Sequence, residues 1–134
     1  MSLAKIPILE VNGSPRARGQ QQGEGARAQI LRSVNAYREL LPRAVNLEWE
    51  RALGEARKFL PYGEAAFPHF VEEMRGIAQG AGVPFDTVWM LSCYEGLIDV
   101  HPEAWGCTSV AVRDDCTANG HVLLAHNEDW VHVD

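Results

Sequence analysis

Long apolar runs are missing from this sequence. Stretches such as Val88–Leu91 and Val122–Ala125 are core-sized, well short of the ~18–20 residues that a membrane span needs. The start, Met1-Ser2-Leu3-Ala4-Lys5, has no charged region followed by an apolar segment, so no secretion signal is read there. Val131–Asp134 matches no targeting tail. The expectation is a cytoplasmic protein that neither spans nor binds a membrane. Positive charge is also scarce. Twelve Lys and Arg stand against 18 Asp and Glu, a net charge of −6, which argues against a nucleic-acid partner because phosphate binding needs a basic surface. Cysteine is rare and odd in number: Cys93, Cys107 and Cys116. A disulfide framework is therefore not expected, and at least one thiol is free. Internal repeats and low-complexity segments are absent.

What remains is ordinary globular material. The 134 residues are 46% apolar, 22% charged and 8% aromatic, enough for one domain with a modest core. The acidity is uneven. Residues 107–134 hold one basic group, Arg113, and five acidic ones, Asp114, Asp115, Glu128, Asp129 and Asp134. The short tail thus carries −4 of the total.

The chain reads as helical to about residue 100, then as strands. Ile6–Val11 alternates weakly, as a short edge strand would. Asn12-Gly13 makes a turn, and Ser14 before Pro15 is an N-cap with proline at the first helical position. Ala26, Ile30, Val34, Tyr37 and Leu41 then recur at helical spacing, and Pro42 ends the pattern. A second helix is expected over 47–60, stopped by Pro61 and Gly63. A third follows the period Phe67, Phe70, Val71, Met74, Ile77, Ala78, with Gly80 and Gly82 as terminators. A fourth, capped by Asp86, is apolar nearly all round, as a buried helix is.

After Pro102 the period changes. Cys107–Val112 alternates hydroxyl or thiol with apolar side chains, 114–120 is turn-rich and closes on Asn119-Gly120, and Val122–Ala125 is apolar on both faces. Two strands alone are marginal in water, so this hairpin needs more sheet than the chain supplies.

Cys107 is the first residue with chemistry in reach. A thiol nucleophile needs a base, and no His stands beside it in sequence, so a Cys–His pair can form only through the fold. One route needs no His. If the Gly106–Cys107 bond is cut, Cys107 gains its own α-amine, which titrates at roughly 7.7–8.0 against roughly 8.5 for a thiol. Gly106 suits such a cut, because attack on the preceding carbonyl needs an unhindered, strainable backbone. The commoner fate of a cysteine at a strand start is a small buried hydrophobe. Asn127-Glu128-Asp129-Trp130 ends the second strand, where the hairpin returns toward Cys107, and alternation places Asn127 and Asp129 on one face.

Gly106-Cys107-Thr108-Ser109, followed by Leu124-Ala125-His126-Asn127-Glu128-Asp129-Trp130, resembles the acyl-coenzyme A:6-aminopenicillanate (isopenicillin N) acyltransferase family. Its members are self-processing N-terminal-nucleophile (Ntn) hydrolases related to choloylglycine hydrolases. Gly13-Ser14-Pro15-Arg16-Ala17-Arg18-Gly19-Gln20-Gln21-Gln22-Gly23 is similar to that family's N-terminal segment. The resemblance implies that Cys107 is the nucleophile, freed by autocleavage after Gly106. Asp129 would orient its amino group, Asn127 would stand beside that aspartate, and Ser109 would assist processing. It implies an α+β fold: the N-terminal part of a four-layer αββα sandwich, with 1–106 as a helical pro-segment and 107–134 as the start of the catalytic segment. The substrate would be a small-molecule amide or an acyl-coenzyme A, with no cofactor. Family members are much longer, the later oxyanion asparagine is missing, and His126 stands where the choloylglycine relatives carry arginine. The chain therefore reads as the front of a longer enzyme or as a truncated piece, whose partner is the rest of its own polypeptide. Homo-oligomerisation stays open.

Other constellations rank lower. His121, His126 and His132 with Cys116 fit no zinc spacing, so no metal site is expected. Arg16 and Arg18 would suit an anion such as a coenzyme A phosphate, though charged residues at an exposed helix start are the default. Gly13–Gly25 has no phosphate-loop lysine. The rival from another class is a non-catalytic helical domain that binds a partner and carries a vestigial motif.

Overall fold

Ser14 and Pro15 start the first helix as their chemistry dictates. In the computed structural model, which describes residues 8–97 and 107–128, the Ser14 hydroxyl accepts from the Ala17 amide at 3.3 Å and Pro15 opens helix α1, Pro15–Gly25. Five more helices follow: α2, Arg27–Val45; α3, Trp49–Arg57; α4, Leu60–Ala66; α5, Pro68–Ala81; and α6, Phe85–Leu97. Strands β1, Cys107–Val112, and β2, Leu123–Glu128, flank a short 3₁₀ turn at Asp114–Cys116. The architecture is α+β, mostly helical, with one two-stranded antiparallel sheet. The chain divides into two compact units, Met1–Ile98 and Asp99–Asp134. Among the described residues, no helix is long and apolar enough to cross a membrane.

In the helical unit, α1 has almost no apolar side chains, so it cannot be held by an oily stripe. Glycine holds it instead. Gly19 and Gly23 are buried against Gly76 and Gly80 of α5. A β-carbon at Gly19 would fall on the Glu73 carbonyl oxygen, one at Gly23 on that of Ile77, one at Gly76 on that of Arg16 and one at Gly80 on that of Gln20. The two backbones thus pack directly, and small residues four apart on each helix make the approach feasible. Side chains fasten the same seam, Arg18 to Glu73 at 2.7 Å and Arg16 to Gln79 at 3.2 Å, and Arg27 of α2 reaches the Gly80 carbonyl of α5 at 2.8 Å.

The remaining helices enclose the core. Leu41, Leu47, Ala52, Leu53, Ala56, Val71, Trp89, Met90 and Tyr94 form one buried cluster. Trp89 Nε1 donates to the Ala56 carbonyl at 2.8 Å, and the Tyr37 and Tyr94 rings meet edge-on at 4.9 Å. Trp89→Phe is expected to lower stability by about 1–3 kcal/mol, through loss of this bond and of ring volume. Urea denaturation of the full chain checks it; an unchanged midpoint would show that the indole contributes nothing specific.

Several local expectations are corrected. Residues 8–11 form no strand, and positions 6 and 7 lie outside the described residues. The first expected helix is two helices, broken at Ala26 (φ −107°, ψ 16°). Pro42 does not end α2, which runs on to Val45 and closes at Asn46 in the left-handed region, with the Leu47 amide returning to the Leu41 carbonyl at 3.2 Å. Pro61 is a starter, not a stop: it occupies the first turn of α4, where its missing N–H costs nothing. Gly80 lies inside α5 and serves packing, while Gly82, at φ +73°, is the actual cap. Phe67 and Phe70 are exposed, so the inner face of α5 begins at Val71.

Candidate functional site

β-Branched residues favour extended backbone, and Cys107–Val112, which holds Thr108, Val110 and Val112, forms β1 as the alternation implies. The strands do not meet through a tight two-residue turn. Residues 113–122 make a longer loop, stitched by Thr117 Oγ1 to the His121 carbonyl at 2.8 Å and by the Asp115 amide to Asp114 Oδ1 at 2.9 Å. Gly120 supplies the left-handed φ of +69° that the loop needs.

The register then fixes the faces. Cys107 pairs with Glu128, Thr108 with Asn127, Ser109 with His126, Val110 with Ala125, Ala111 with Leu124 and Val112 with Leu123. Directly opposed residues share a face, and residues two apart along a strand do too. One face therefore carries Cys107, Ser109 and Ala111 from β1 with Leu124 and His126 from β2. The other carries Thr108, Val110 and Val112 with Leu123, Ala125 and Asn127.

The register places three of the expected site residues, Cys107, Ser109 and Asn127. Cys107 is a free, exposed thiol at the first position of β1. Ser109 shares its face, and Ser109 Oγ lies 2.9 Å from His126 Nδ1. Asn127 is adjacent along the ladder but on the opposite face, so the hairpin does not bring it to the thiol. Gly106 and Asp129 lie outside the described residues. His126, noted in the sequence only as a departure and as a weak zinc candidate, is the residue that the fold adds to the face of Cys107. Ser109, Ala111, Leu124 and His126 also line an open depression of about 330 Å³.

The other cysteines differ in setting. Cys116 is exposed in the loop, with Sγ 3.5 Å from Asp115 Oδ1. Cys93 is half-buried on α6, and burial pushes its thiol above the usual range. Among the described residues, no group of three or more His, Cys, Asp and Glu could hold a metal ion. Arg16 and Arg18 spend their guanidinium groups on Glu72, Glu73 and Gln79, fastening α1 to α5; these bonds give the pair a structural task rather than an anion to bind.

Both faces of the hairpin are open. Leu124 is 78% exposed, and Val110, Val122 and Leu123 are each more than half exposed. A second apolar feature lies in the helical unit, a groove of about 360 Å³ lined by Phe59, Tyr62, Phe67, Trp89 and Cys93. Neither the protein-family models nor the curated proteins compared with this chain give a match.

Proposed function

We propose that this chain carries the nucleophile of a self-processing cysteine amidohydrolase or acyltransferase of the Ntn type, resembling the isopenicillin N acyltransferase family. The observation that supports it most is the position of Cys107: an exposed thiol at the first residue of a strand, directly after a glycine, with Ser109 and His126 bonded to each other on its face. In this reading 1–106 is the helical pro-segment and 107–134 begins the catalytic segment of a four-layer αββα sandwich. The exposed Val110, Leu123 and Leu124 of the hairpin accord with that, since apolar strand residues on both faces are normally covered.

Once the Gly106–Cys107 bond is cut, the new α-amine takes the thiol proton. Cys107 Sγ attacks an amide or thioester carbonyl, and backbone N–H groups hold the oxyanion. The leaving amine or thiol departs with a proton, and water or an acceptor amine then removes the acyl group from sulfur. Asp129 orients the α-amine, and Asn127, on the face opposite the thiol, stands beside that aspartate in sequence. The substrate is a small amide or an acyl-coenzyme A, no cofactor takes part, and the reducing cytoplasm would keep the thiol free.

A test uses short acyl thioesters and N-acyl amides on the full-length protein, with peptide mapping of adducts. The acyl group is expected on Cys107 well ahead of Cys116 and of Cys93, whose thiol burial pushes up. Equal or absent labelling at Cys107 would contradict the proposal. The apolar groove of the helical unit favours one second reading, a partner-binding module with a vestigial motif. In that case Cys107 could be removed without loss of function.

A further inference from the structure

The α-amine that serves the mature nucleophile does not exist before the first cut. In the intact chain that nitrogen is an amide, with no lone pair to offer as a base. Self-cleavage therefore needs a different base, and neither sequence neighbour of Cys107, Gly106 or Thr108, is one. The register provides one. His126 sits on the nucleophile's face, directly opposite Ser109 and diagonal to Cys107. Diagonal neighbours on one face lie about 7–8 Å apart at most between β-carbons, within reach of a ring side chain.

We infer that His126, oriented by Ser109, is the base that takes the Cys107 thiol proton for the self-cleaving attack on the Gly106 carbonyl. This rests on the Ntn reading proposed above and adds a step to it. With His126 Nδ1–H donating to Ser109 Oγ across the 2.9 Å contact, the ring's Nε2 keeps its lone pair for the thiol. A nucleophile, a base and a third group that orients the base is the arrangement that activates weak nucleophiles generally.

The step balances. Nε2 takes the proton from Cys107 Sγ, and the thiolate forms a bond to the Gly106 carbonyl carbon. The Gly106–Cys107 C–N bond breaks, and its nitrogen takes the proton back from the imidazolium, becoming the α-amine. Water then hydrolyses the thioester, giving the Gly106 carboxylate and the free Cys107 thiol. From that point the α-amine stands nearer to sulfur than the imidazole does. The two bases act in succession, His126 for maturation and the amine for turnover. Ser109 is a positioning residue, because it touches the base and not the reacting atoms.

The experiment follows cleavage of newly synthesised full-length protein over time by intact mass. His126→Ala is expected to slow the cut by about 100-fold or more, the usual worth of a general base. Added imidazole is expected to restore much of the rate, which no purely structural defect would allow. His126→Asn keeps an N–H for Ser109 but offers no base, and is expected to stay slow. Ser109→Ala is expected to slow cleavage less than loss of the imidazole does. Cleavage of His126→Asn at the wild-type rate, or a slow His126→Ala that imidazole leaves unchanged, would overturn the inference and leave the parent reading standing. A wild-type chain that never cuts at Gly106–Cys107 would overturn both.

Discussion

Gly80→Ala is expected to destabilise the protein, even though alanine is the better helix former. Propensity alone predicts a gain of about 1 kcal/mol for glycine to alanine inside a helix. Here the added methyl would meet the Gln20 carbonyl oxygen of α1, a backbone atom that cannot turn aside. Overpacking of this kind costs about 1–3 kcal/mol, or more where backbone must shift. A net loss of about 2 kcal/mol corresponds to a melting temperature lower by roughly 10 °C for a unit of this size. Gly19, Gly23 and Gly76 face carbonyl oxygens in the same way, so a double substitution across the seam is expected to detach α1. The internal control is Gly54→Ala, in α3, where a β-carbon meets nothing within 4 Å. That variant is expected to melt at or slightly above wild type. Equal melting of Gly80→Ala and Gly54→Ala would show that the α1–α5 contact is looser than described.

Cys107→Ala is expected to leave the chain uncut and to lower turnover by roughly 10⁴-fold or more, the scale of losing a covalent nucleophile. Stability should barely change, because the side chain is exposed at a strand end and supports no core contact. Retained melting with lost processing separates a chemical role from a structural one. Cys116→Ala, also exposed, is expected to cut and turn over normally. If Cys107→Ala kept full activity, the partner-binding reading would take its place.

The class of most elements is legible in the sequence because periodicity reports which face is buried. The Ser14-Pro15 start and the run from Val71 to Ala78 match the structure, and Cys107–Val112 is a strand as its alternation implies, although neither of its faces is buried. The glycines mislead for a physical reason. A glycine within a helix and a glycine that ends one look alike until the partner helix is known, so Gly80 passes for a terminator. Pro42 and Pro61 mislead because proline breaks a helix only where its N–H and ring matter; Pro61 lies in a first turn, where they do not. At the site, the face is legible and the pairing is not. A tight turn centred on Asn119-Gly120 would pair Ala118 with His121 and hence Val112 with Asn127. The longer loop pairs Val112 with Leu123 instead. That shift of four positions is even, so His126 faces the side of Cys107 under either register, but only the observed one sets it opposite Ser109. The signal for His126 is available in strand parity alone.

If Cys107 becomes a chain terminus by its own chemistry, the intact mass of the purified full-length protein shows it. Two fragments are predicted, one ending in Gly106 and one beginning at Cys107, with masses summing to the uncut chain plus one water. They should be absent in Cys107→Ala. A single uncut wild-type mass in protein that is folded and active would contradict the account.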